Sequence, residues 1–227
     1  MKVLITGTTG MVGKGVLYTC LDDPDVEKVV TISRSSCEVS HPKLEEIIHK
    51  DFFDLTAIES QFEGFDACYF CLGVSSVGMS EDQYRHLTYT LTMTFAETLF
   101  KLSPQAVFCY VSGAGTDETE SARMMWARVK GKTENDLSRM GFKGSYAFRP
   151  GFIQPMRGIK SKTNWYQFFY NVLKPFYGLL QRMPKYVTDT DKVGFAMLQV
   201  TKHRYHRTII ESNEINELAA EYSQAGK

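Results

Sequence analysis

A strand that runs into a glycine-rich turn is the feature of this sequence that most constrains its fold. Residues 1–13 read MKVLITGTTGMVG: Val3, Leu4 and Ile5 form a short apolar run, and glycines recur at positions 7, 10 and 13. The pattern over Val12–Leu21 is typical of an amphipathic helix. Glycine lets a phosphate approach the backbone closely, and a helix that begins there directs free N–H groups towards it. The order strand, turn and helix therefore predicts a phosphate-binding turn of the dinucleotide type.

The spacing of the glycines indicates which kind of dinucleotide-binding turn this is. The motif is G-x-x-G-x-x-G preceded by threonine, whereas the commonest dinucleotide fingerprint is G-x-G-x-x-G. In this form it resembles the turn of the short-chain dehydrogenase/reductase superfamily, in its extended and atypical branches. The resemblance implies a nicotinamide cofactor, NAD or NADP, held by the turn. The residues expected to contact it are Gly7, Thr9, Gly10, Met11, Val12 and Gly13.

Composition and charge limit the classes to which the protein can belong. With 26 Lys plus Arg against 26 Asp plus Glu, the net charge of the 227-residue chain is zero, which argues against a nucleic-acid partner. No targeting segment is recognised before the first strand, and no apolar run reaches the ~18 residues that a membrane span needs. We therefore expect a soluble cytoplasmic protein of one domain that binds a small molecule, and leave a homodimer open. Residues 152–227 are expected to contribute most of the substrate region.

Apolar runs alternate with helical patterns along the chain. The predicted strands are Lys2–Thr6, Lys28–Ser33, Glu46–Asp51, Ala67–Leu72, Ala106–Ser112, Ser145–Phe152 and Thr208–Glu211. The predicted helices are Val12–Leu21, a short one near Leu55–Gln61, Glu81–Lys101, Glu118–Met140, Ser212–Glu221 and a late one capped by Asp189 or Thr190. Such alternation predicts an α/β fold, a doubly wound parallel sheet of Rossmann type with a small C-terminal elaboration. In these sheets the ligand lies beyond the carboxyl ends of the strands.

The cysteines and histidines carry no metal or redox pattern. Cys68 and Cys71 form a C-x-x-C, but they fall within a predicted buried strand, where residues three apart point to opposite faces. Core packing is therefore the better interpretation of the pair. His203 and His206 lie in a basic connector without a cysteine or carboxylate at metal spacing, so no metal site is predicted.

The end of the second predicted strand bears on the choice of cofactor. An NAD enzyme usually carries an acidic residue here to bind the ribose 2′-hydroxyl, whereas this chain has Arg34 between Ser33 and Ser35. A guanidinium flanked by hydroxyls suits a 2′-phosphate. The sequence therefore favours NADP over NAD, the alternative being that Arg34 is an ordinary surface arginine.

Two further strand ends are expected to border the cofactor. Asp51 and Phe52 follow the third strand, where the superfamily resemblance implies an acidic and an apolar residue beside the adenine ring. A turn or capping role is an equally good interpretation of Asp51. Leu72 and Gly73 end the fourth strand, where a glycine lets the backbone pass close to a cofactor.

The fifth predicted strand and the helix after it carry the candidate catalytic residues. The superfamily places a serine at this strand end and a Tyr-x-x-x-Lys on the helix, where the four-residue spacing sets both side chains on one face. Ser112 and Lys130 match this pattern, which implies that Ser112 binds a substrate oxygen and Lys130 the nicotinamide ribose. The tyrosine position is occupied by Trp126. An indole does not titrate as a phenol does, so Trp126 cannot serve as acid or base in the ordinary way.

This departure leaves two functions open. The first is an NADP-dependent reductase, epimerase or dehydratase-like enzyme that acts on a small carbonyl or hydroxyl compound and is slow with ordinary carbonyl substrates. Tyr110, on the same strand face as Ser112 but deeper, is a weak candidate for its proton donor. The second function is a catalytically impaired NADP-binding regulator or redox sensor, which the tryptophan supports.

Later motifs extend the resemblance over nearly the whole chain. In extended and atypical members the string Arg-Pro-Gly lies where the chain turns into the substrate region, which implies that Pro150 and Gly151 lie near the cofactor. A closer resemblance is to the oxidoreductase-like HIV Tat-interacting protein group among the atypical members. The strings that carry it are Phe70–Gly73, Val129–Gly131 with Glu134, and Phe148–Gly151.

An aromatic stretch, Trp165–Leu180, reads WYQFFYNVLKPFYGLL. It is apolar nearly all round, which predicts burial on several sides. Packing over the substrate pocket is favoured, with a subunit interface or a membrane surface as alternatives. Pro175 is expected to break or kink a helix near Lys174.

Overall fold

Strands and helices alternate along the chain. The computed structural model of the protein describes residues 1–159 and 185–225, so the stretch Trp165–Leu180 lies outside the described residues. The strands are β1 (Lys2–Thr6), β2 (Lys28–Ser33), β3 (Leu44–Ile48), β4 (Ala67–Phe70), β5 (Val107–Val111), β6 (Gly144–Arg149), β7 (Phe152–Gln154), β8 (Val187–Asp189) and β9 (Ile209–Glu211). The helices are α1 (Met11–Asp22), α2 (Glu81–Arg85), α3 (Leu91–Leu102), α4 (Met125–Arg139), α5 (Thr190–Lys202) and α6 (Ser212–Ala225), with a 3₁₀ helix at Thr56–Phe62 and a π-helical turn at His86–Thr90.

One parallel sheet organises the molecule. Its strands pair in the order β3-β2-β1-β4-β5-β6-β9, and every neighbouring pair is parallel. The order runs outwards from β1 and β4 in both directions, so a crevice opens between the carboxyl ends of these two strands. Strands β7 and β8 form a separate parallel pair. The predicted doubly wound α/β sheet is confirmed.

Each face of the sheet packs against its own layer of helices. On one face α1, α5 and α6 cover side chains such as Ile5 and Tyr69, and on the other the 3₁₀ helix, α3 and α4 cover Leu4 and Phe70. All four of these side chains are fully buried. Neighbouring residues of a strand point to opposite faces, which is why the continuous apolar run of β1 serves both cores.

The cysteines pack in these two cores. Cys68 belongs to the core under α3, and Cys71 packs against the opposite core, as their spacing on one strand predicted. All five cysteines are free thiols. Burial raises the pKa of Cys71 to about 12, so this thiol stays protonated and unreactive at neutral pH. The core-packing interpretation is confirmed.

Helix α4 begins later than the sequence predicted. The predicted helix Glu118–Met140 is wrong over its first seven residues, since α4 starts at Met125. The carboxylate of Asp117 accepts hydrogen bonds from the backbone N–H groups of Ser121 (2.8 Å) and Ala122 (2.6 Å). These N–H groups are thereby held in a loop, because a side-chain acceptor competes with the helical carbonyls for them.

Other boundaries differ for similar local reasons. Strand β3 begins two residues and ends three residues earlier than predicted, because the Asp51 carboxylate accepts from the Phe53 N–H (2.9 Å) in a turn. The predicted helix Glu81–Lys101 is present, but the π-helical turn at His86–Thr90 divides it. The predicted cap of the late helix is confirmed, since Asp189 accepts from the Lys192 N–H at 2.8 Å.

Helices α1 and α5 cross at close range, because each presents a glycine to a threonine of the other. A Cβ at Gly15 would overlap Thr190, and a Cβ at Gly194 would overlap the Thr19 hydroxyl. The crossing fastens α5, which follows β8 directly, onto the helix that begins at the glycine turn.

Substitution of Gly194 by alanine should lower the free energy of unfolding by about 1–3 kcal/mol, the usual cost of overpacking a tight core. Gly73→Ala is the control, because a Cβ there has nothing within 4 Å, and its effect should stay within about 1 kcal/mol. Urea unfolding followed by circular dichroism measures both. Equal midpoints for the two variants would contradict the close crossing.

Candidate functional site

The glycine turn closes tightly between β1 and α1. Gly7 has a left-handed backbone (φ 72°), and a Cβ there would lie 2.5 Å from the Cys71 carbonyl oxygen. A Cβ at Gly13 would overlap the Gly7 carbonyl oxygen. Both positions require glycine, because the turn passes against the end of β4 and α1 passes against the turn.

Gly10 leaves the beginning of α1 open. It is the N-cap residue of α1, and no side chain of the described residues caps the helix there. The hydroxyl of Thr8 is buried and has no hydrogen-bond partner in the part of the chain that the structure describes. Uncapped N–H groups and an orphaned hydroxyl suit a phosphate. The turn, which also holds Thr9 and leads into Met11 and Val12, therefore fits a pyrophosphate.

A cavity of about 340 Å³ lies at the carboxyl ends of β2, β3 and β4, against the π-helical turn. Its walls are largely apolar, with the rings of Phe53 and Phe70 and the side chain of Leu91. Six of the predicted site residues line it: Arg34, Asp51, Phe52, Leu72, Gly73 and Lys130. The structure thus gathers residues that lie up to about a hundred positions apart in the sequence.

Two cations besides Lys130 line this cavity. Arg34 is exposed and lines the cavity together with Lys50, which the sequence interpretation missed. The Ser33 hydroxyl donates to the Ser35 carbonyl oxygen (2.7 Å), so this hydroxyl is held by the turn and is not free for a phosphate. Asp51 lines the cavity and also makes the turn contact described above.

The helical wall of the cavity is polar at two points. Tyr84 and Thr88 lie one turn apart on the wall and are both buried. The Thr88 hydroxyl has no partner in hydrogen-bond geometry among the described residues, although the Tyr84 phenol lies close to it. The ring of His86 stacks on Phe53 with centroids 4.2 Å apart. The wall thus buries an unsatisfied hydroxyl directly beside the space that a ligand would occupy.

Ser112 and Lys130 meet at the end of β5. Lys130 Nζ donates to the Ser112 carbonyl oxygen at 2.7 Å. The Ser112 hydroxyl lies 2.9 Å from that of Thr116, which in turn donates to the Gly113 carbonyl oxygen at 2.8 Å. The predicted serine and lysine are therefore adjacent, with a second hydroxyl that the sequence did not indicate.

The pKa of Lys130 is set by burial and by a buried ion pair one helical turn away. Desolvation lowers the pKa of Lys130 to about 8, and the carboxylate of Glu134 opposes this shift. Glu134 is itself held by Arg149, whose Nε and Nη2 both donate to it, at 3.1 and 2.5 Å. Only 8% of the Arg149 side chain and 3% of the Glu134 side chain are exposed. The arginine thus fixes the carboxylate nearest to the lysine on α4.

Trp126 takes a packing position at the site. Its ring lies over Gly115, where a Cβ would come within 3.3 Å of Cη2. Gly131, next to Lys130, is required for a similar reason, since a Cβ there would overlap the Asp117 carbonyl oxygen. The loop between β5 and α4 therefore presses directly onto the helix that carries Lys130.

Pro150 and Gly151 lie beside the site and not on the cavity wall. The Pro150 carbonyl oxygen accepts from the Ala114 N–H at 3.0 Å. The Gly151 N–H donates to the Ser212 hydroxyl at 2.7 Å, and a Cβ at Gly151 would lie 2.5 Å from the Tyr186 carbonyl oxygen. The structure gives both residues a role in packing the turn, and their contact with a cofactor stays a prediction.

Residues missed by the sequence analysis are Lys50, Tyr84, Thr88 and Thr116. Lys50 precedes the predicted Asp51 and could have been found from that position. The others are ordinary polar residues of helices and loops, and no spacing marks them. Across residues 1–159 and 185–225, no cluster of three or more His, Cys, Asp or Glu side chains could hold a metal ion.

Three features define a Rossmann protein of the short-chain dehydrogenase/reductase type. They are a doubly wound parallel sheet, a glycine turn at the end of its first strand, and a lysine beside a serine at the end of its fifth strand. Residues 3–123 match the model of the NAD dependent epimerase/dehydratase family. The chain belongs to this family, and the predicted superfamily is confirmed.

Relatives and solved structures agree with this assignment. Protein fmp52-1, mitochondrial, from Aspergillus oryzae is 31% identical over 163 residues, which cover 67% of this chain and 66% of the relative. The yeast methylglyoxal/isovaleraldehyde reductase Gre2 complexed with NADPH has a TM-score of 0.67 at 14% identity, covering 93% of this chain and 78% of its own. The ADP-L-glycero-D-manno-heptose-6-epimerase of Helicobacter pylori has a TM-score of 0.65 at 16% identity, covering 97% and 81%. At these identities the two structures support the fold alone.

The prediction of a cytoplasmic protein is wrong. The relative from Aspergillus oryzae and others like it, from Aspergillus clavatus and Meyerozyma guilliermondii among them, are named as mitochondrial proteins. The prediction rested on finding no recognisable targeting segment, and the lack of one does not specify a compartment. Within the described residues no helix has the length and apolarity to cross a membrane.

Loss of the Arg149 guanidinium should destabilise the protein strongly. Arg149→Met leaves the Glu134 carboxylate buried without its partner, which costs about 3–5 kcal/mol. Arg139→Met is the matched control, because Arg139 is 73% exposed in its pair with Asp136 and such pairs contribute at most about 1 kcal/mol. Thermal unfolding at pH 7 distinguishes the two, and similar losses would show that the Arg149 pair is solvated.

Proposed function

We propose that this protein binds NADP(H) along the carboxyl edge of its sheet and acts as an oxidoreductase or epimerase on a small carbonyl or hydroxyl compound. The observation that carries the proposal is the cavity of about 340 Å³, which Arg34, Lys50 and Lys130 all line. A dinucleotide is the ligand that needs a pyrophosphate turn, an apolar base pocket and a ribose-binding lysine in one cleft.

Each part of the cleft has a proposed task. The uncapped beginning of α1 at Gly10 would hold the pyrophosphate, and Phe52 and Gly73 would border the adenosine. Arg34 would bind the 2′-phosphate. Lys130 would hold the nicotinamide ribose, and the substrate oxygen would lie beside Ser112. When bound, the cofactor would supply hydride chemistry.

NADP is favoured over NAD by charge at the end of β2. The Arg34 side chain lines the same cavity as Lys50, and two cations suit the added 2′-phosphate. Family membership and the structural likeness to a reductase complexed with NADPH support a nicotinamide cofactor. Neither of them distinguishes NADP from NAD.

A second candidate function is an NADP-binding regulator or redox sensor without catalysis. The observation that favours it is Trp126, whose ring packs over Gly115 at the position of the superfamily tyrosine. An indole in this place offers no titrating proton. Turnover of carbonyl compounds by purified protein with NADPH would decide against this alternative.

The cofactor proposal predicts a preference for NADPH that depends on Arg34. Removing one charge-assisted contact in Arg34→Ala should weaken NADPH binding by about 10–100-fold and leave NADH binding almost unchanged. Lys50→Ala should act in the same direction, and Lys28→Ala is the control, because Lys28 lies at the opposite end of β2 and pairs with Glu45. Calorimetric titration measures all of these affinities. Equal affinity of the wild type for NADPH and NADH would refute the role of Arg34.

We further propose that the protein resides in or on mitochondria, as the names of its relatives suggest. Cell fractionation with an antibody against the native chain should place it with mitochondrial markers, and protease protection should show on which side of the membranes it lies. Recovery only in the cytosolic fraction would refute this location.

A further inference from the structure

The hydroxyl groups of Ser112 and Thr116, at the end of β5, both donate their protons within the protein. Thr116 Oγ1 donates to the Gly113 carbonyl oxygen, and Ser112 Oγ is bonded to Thr116 Oγ1. Each hydroxyl has a single proton, so Ser112 must be the donor in the bond between the two. While this pair holds, Ser112 can accept a hydrogen bond from a ligand but has no proton to give.

Lys130 does have protons left. An ammonium group carries three N–H donors, and one of them goes to the Ser112 carbonyl oxygen at 2.7 Å. Nζ lies close to the chain at the end of β5, since a Cβ at Gly113 would be 3.7 Å away. Within residues 1–159 and 185–225 two N–H donors therefore remain, one for a ribose and one for a substrate oxygen bound beside Ser112.

We infer that Lys130 takes the place of the missing tyrosine and delivers the proton to the oxygen of a carbonyl substrate. The inference rests on the proposed function. It makes Lys130 both a ribose ligand and the general acid, whereas the superfamily pattern divides these tasks between a lysine and a tyrosine. Trp126 then packs over Gly115 and exchanges no proton.

The proton balance of this step is simple. A reduced nicotinamide bound at Lys130 would supply the hydride that the carbonyl carbon takes up, and the electron pair of the C=O π bond would move to oxygen. An Nζ–H bond of Lys130 breaks as the O–H bond of the alcohol forms, which leaves a neutral amine. Solvent protonates the amine again before the next cycle.

The surroundings of Lys130 suit this role. Burial brings its pKa down to about 8, near the operating range that favours acid–base catalysis. The charged and titratable groups that line the cavity with Lys130 are Arg34, Lys50, Asp51, Tyr84 and Tyr110, and Glu134 acts on it from one turn along α4 with Arg149 of β6 behind. Burial raises the pKa of both phenols, so neither of them titrates where Lys130 does.

Lys130→Arg tests the inference, because arginine keeps the positive charge and N–H donors but does not titrate in this range. NADPH affinity, measured by calorimetry, should stay within about tenfold of wild type. Turnover of 9,10-phenanthrenequinone with NADPH should fall by about 10²–10⁴-fold. Wild-type kcat/KM should be level below pH 8 and fall about tenfold per pH unit above it, because the acid must be protonated, and this break should vanish in the variant.

Lys132→Arg is the matched control, since Lys132 lies two residues further along α4 and pairs with Asp136 instead. It should keep the wild-type rate and pH profile. Lys130→Arg with full turnover and an unchanged break near pH 8 would overturn the inference. Wild-type protein that binds NADPH but reduces no carbonyl would overturn it too, while leaving the cofactor proposal intact. Failure of the wild type to bind NADPH would instead refute the proposed function.

A second measurement does not depend on whether the variant folds. Labelling of wild-type protein with acetic anhydride at graded pH, read out for each lysine by mass spectrometry, should give a midpoint near 8 for Lys130. The midpoint for Lys132 should lie above that of an ordinary lysine, since its bond to Asp136 raises the pKa of this lysine. A midpoint above 10 for Lys130 would overturn the inference.

Discussion

The architecture depends on backbone contacts that leave no space for a Cβ. Gly7 lies against the end of β4, Gly13 lies against Gly7, and Gly15 lies against Thr190 of α5. Helix α1 is thereby fixed at its first turn to the sheet and along its length to α5. The open helix end at Gly10 is held at the crevice between β1 and β4, where a doubly wound sheet binds its ligand. Neighbouring glycines thus serve different purposes: Gly10 leaves the end of α1 uncapped, whereas Gly7, Gly13 and Gly15 allow close packing.

A second constraint acts at the end of β5, where hydroxyl groups bond to one another and to the backbone. Ser112, Thr116 and the Gly113 carbonyl form a chain of hydrogen bonds, and Asp117 holds the following loop. Gly131 allows this loop to lie directly on α4. The strand end is thereby packed against the helix that carries Lys130, whose ammonium donates to the Ser112 carbonyl oxygen.

Much of the fold could be predicted, because its signals are local. The bounds of β1 and β2 follow from apolar runs flanked by a lysine and by a polar turn, and the six cavity-lining residues follow from strand ends and family resemblance. The beginning of α4 could not be predicted, since Asp117 captures N–H groups through a side chain that looks like any other acid in the sequence. Thr88 and Thr116 were missed for a related reason. Thr88 matters because its hydroxyl lacks a partner among the described residues, and Thr116 matters because its hydroxyl bonds to that of Ser112. The spacing of residues in the sequence shows neither of these contacts.

The π-helical turn at His86–Thr90 has a consequence for how this helix can vary. A π turn holds one residue more than an α turn, and each residue advances an α-helix by about 100°. Tyr84 before the turn and Phe95 after it are both buried. Because the π turn takes up one residue, the two rings keep the relative phase that ten α-helical steps would give, and deleting one residue of the turn would regularise the helix without rotating either ring. The irregular part of this helix is therefore the place where its length can change by one residue while its buried faces stay in register.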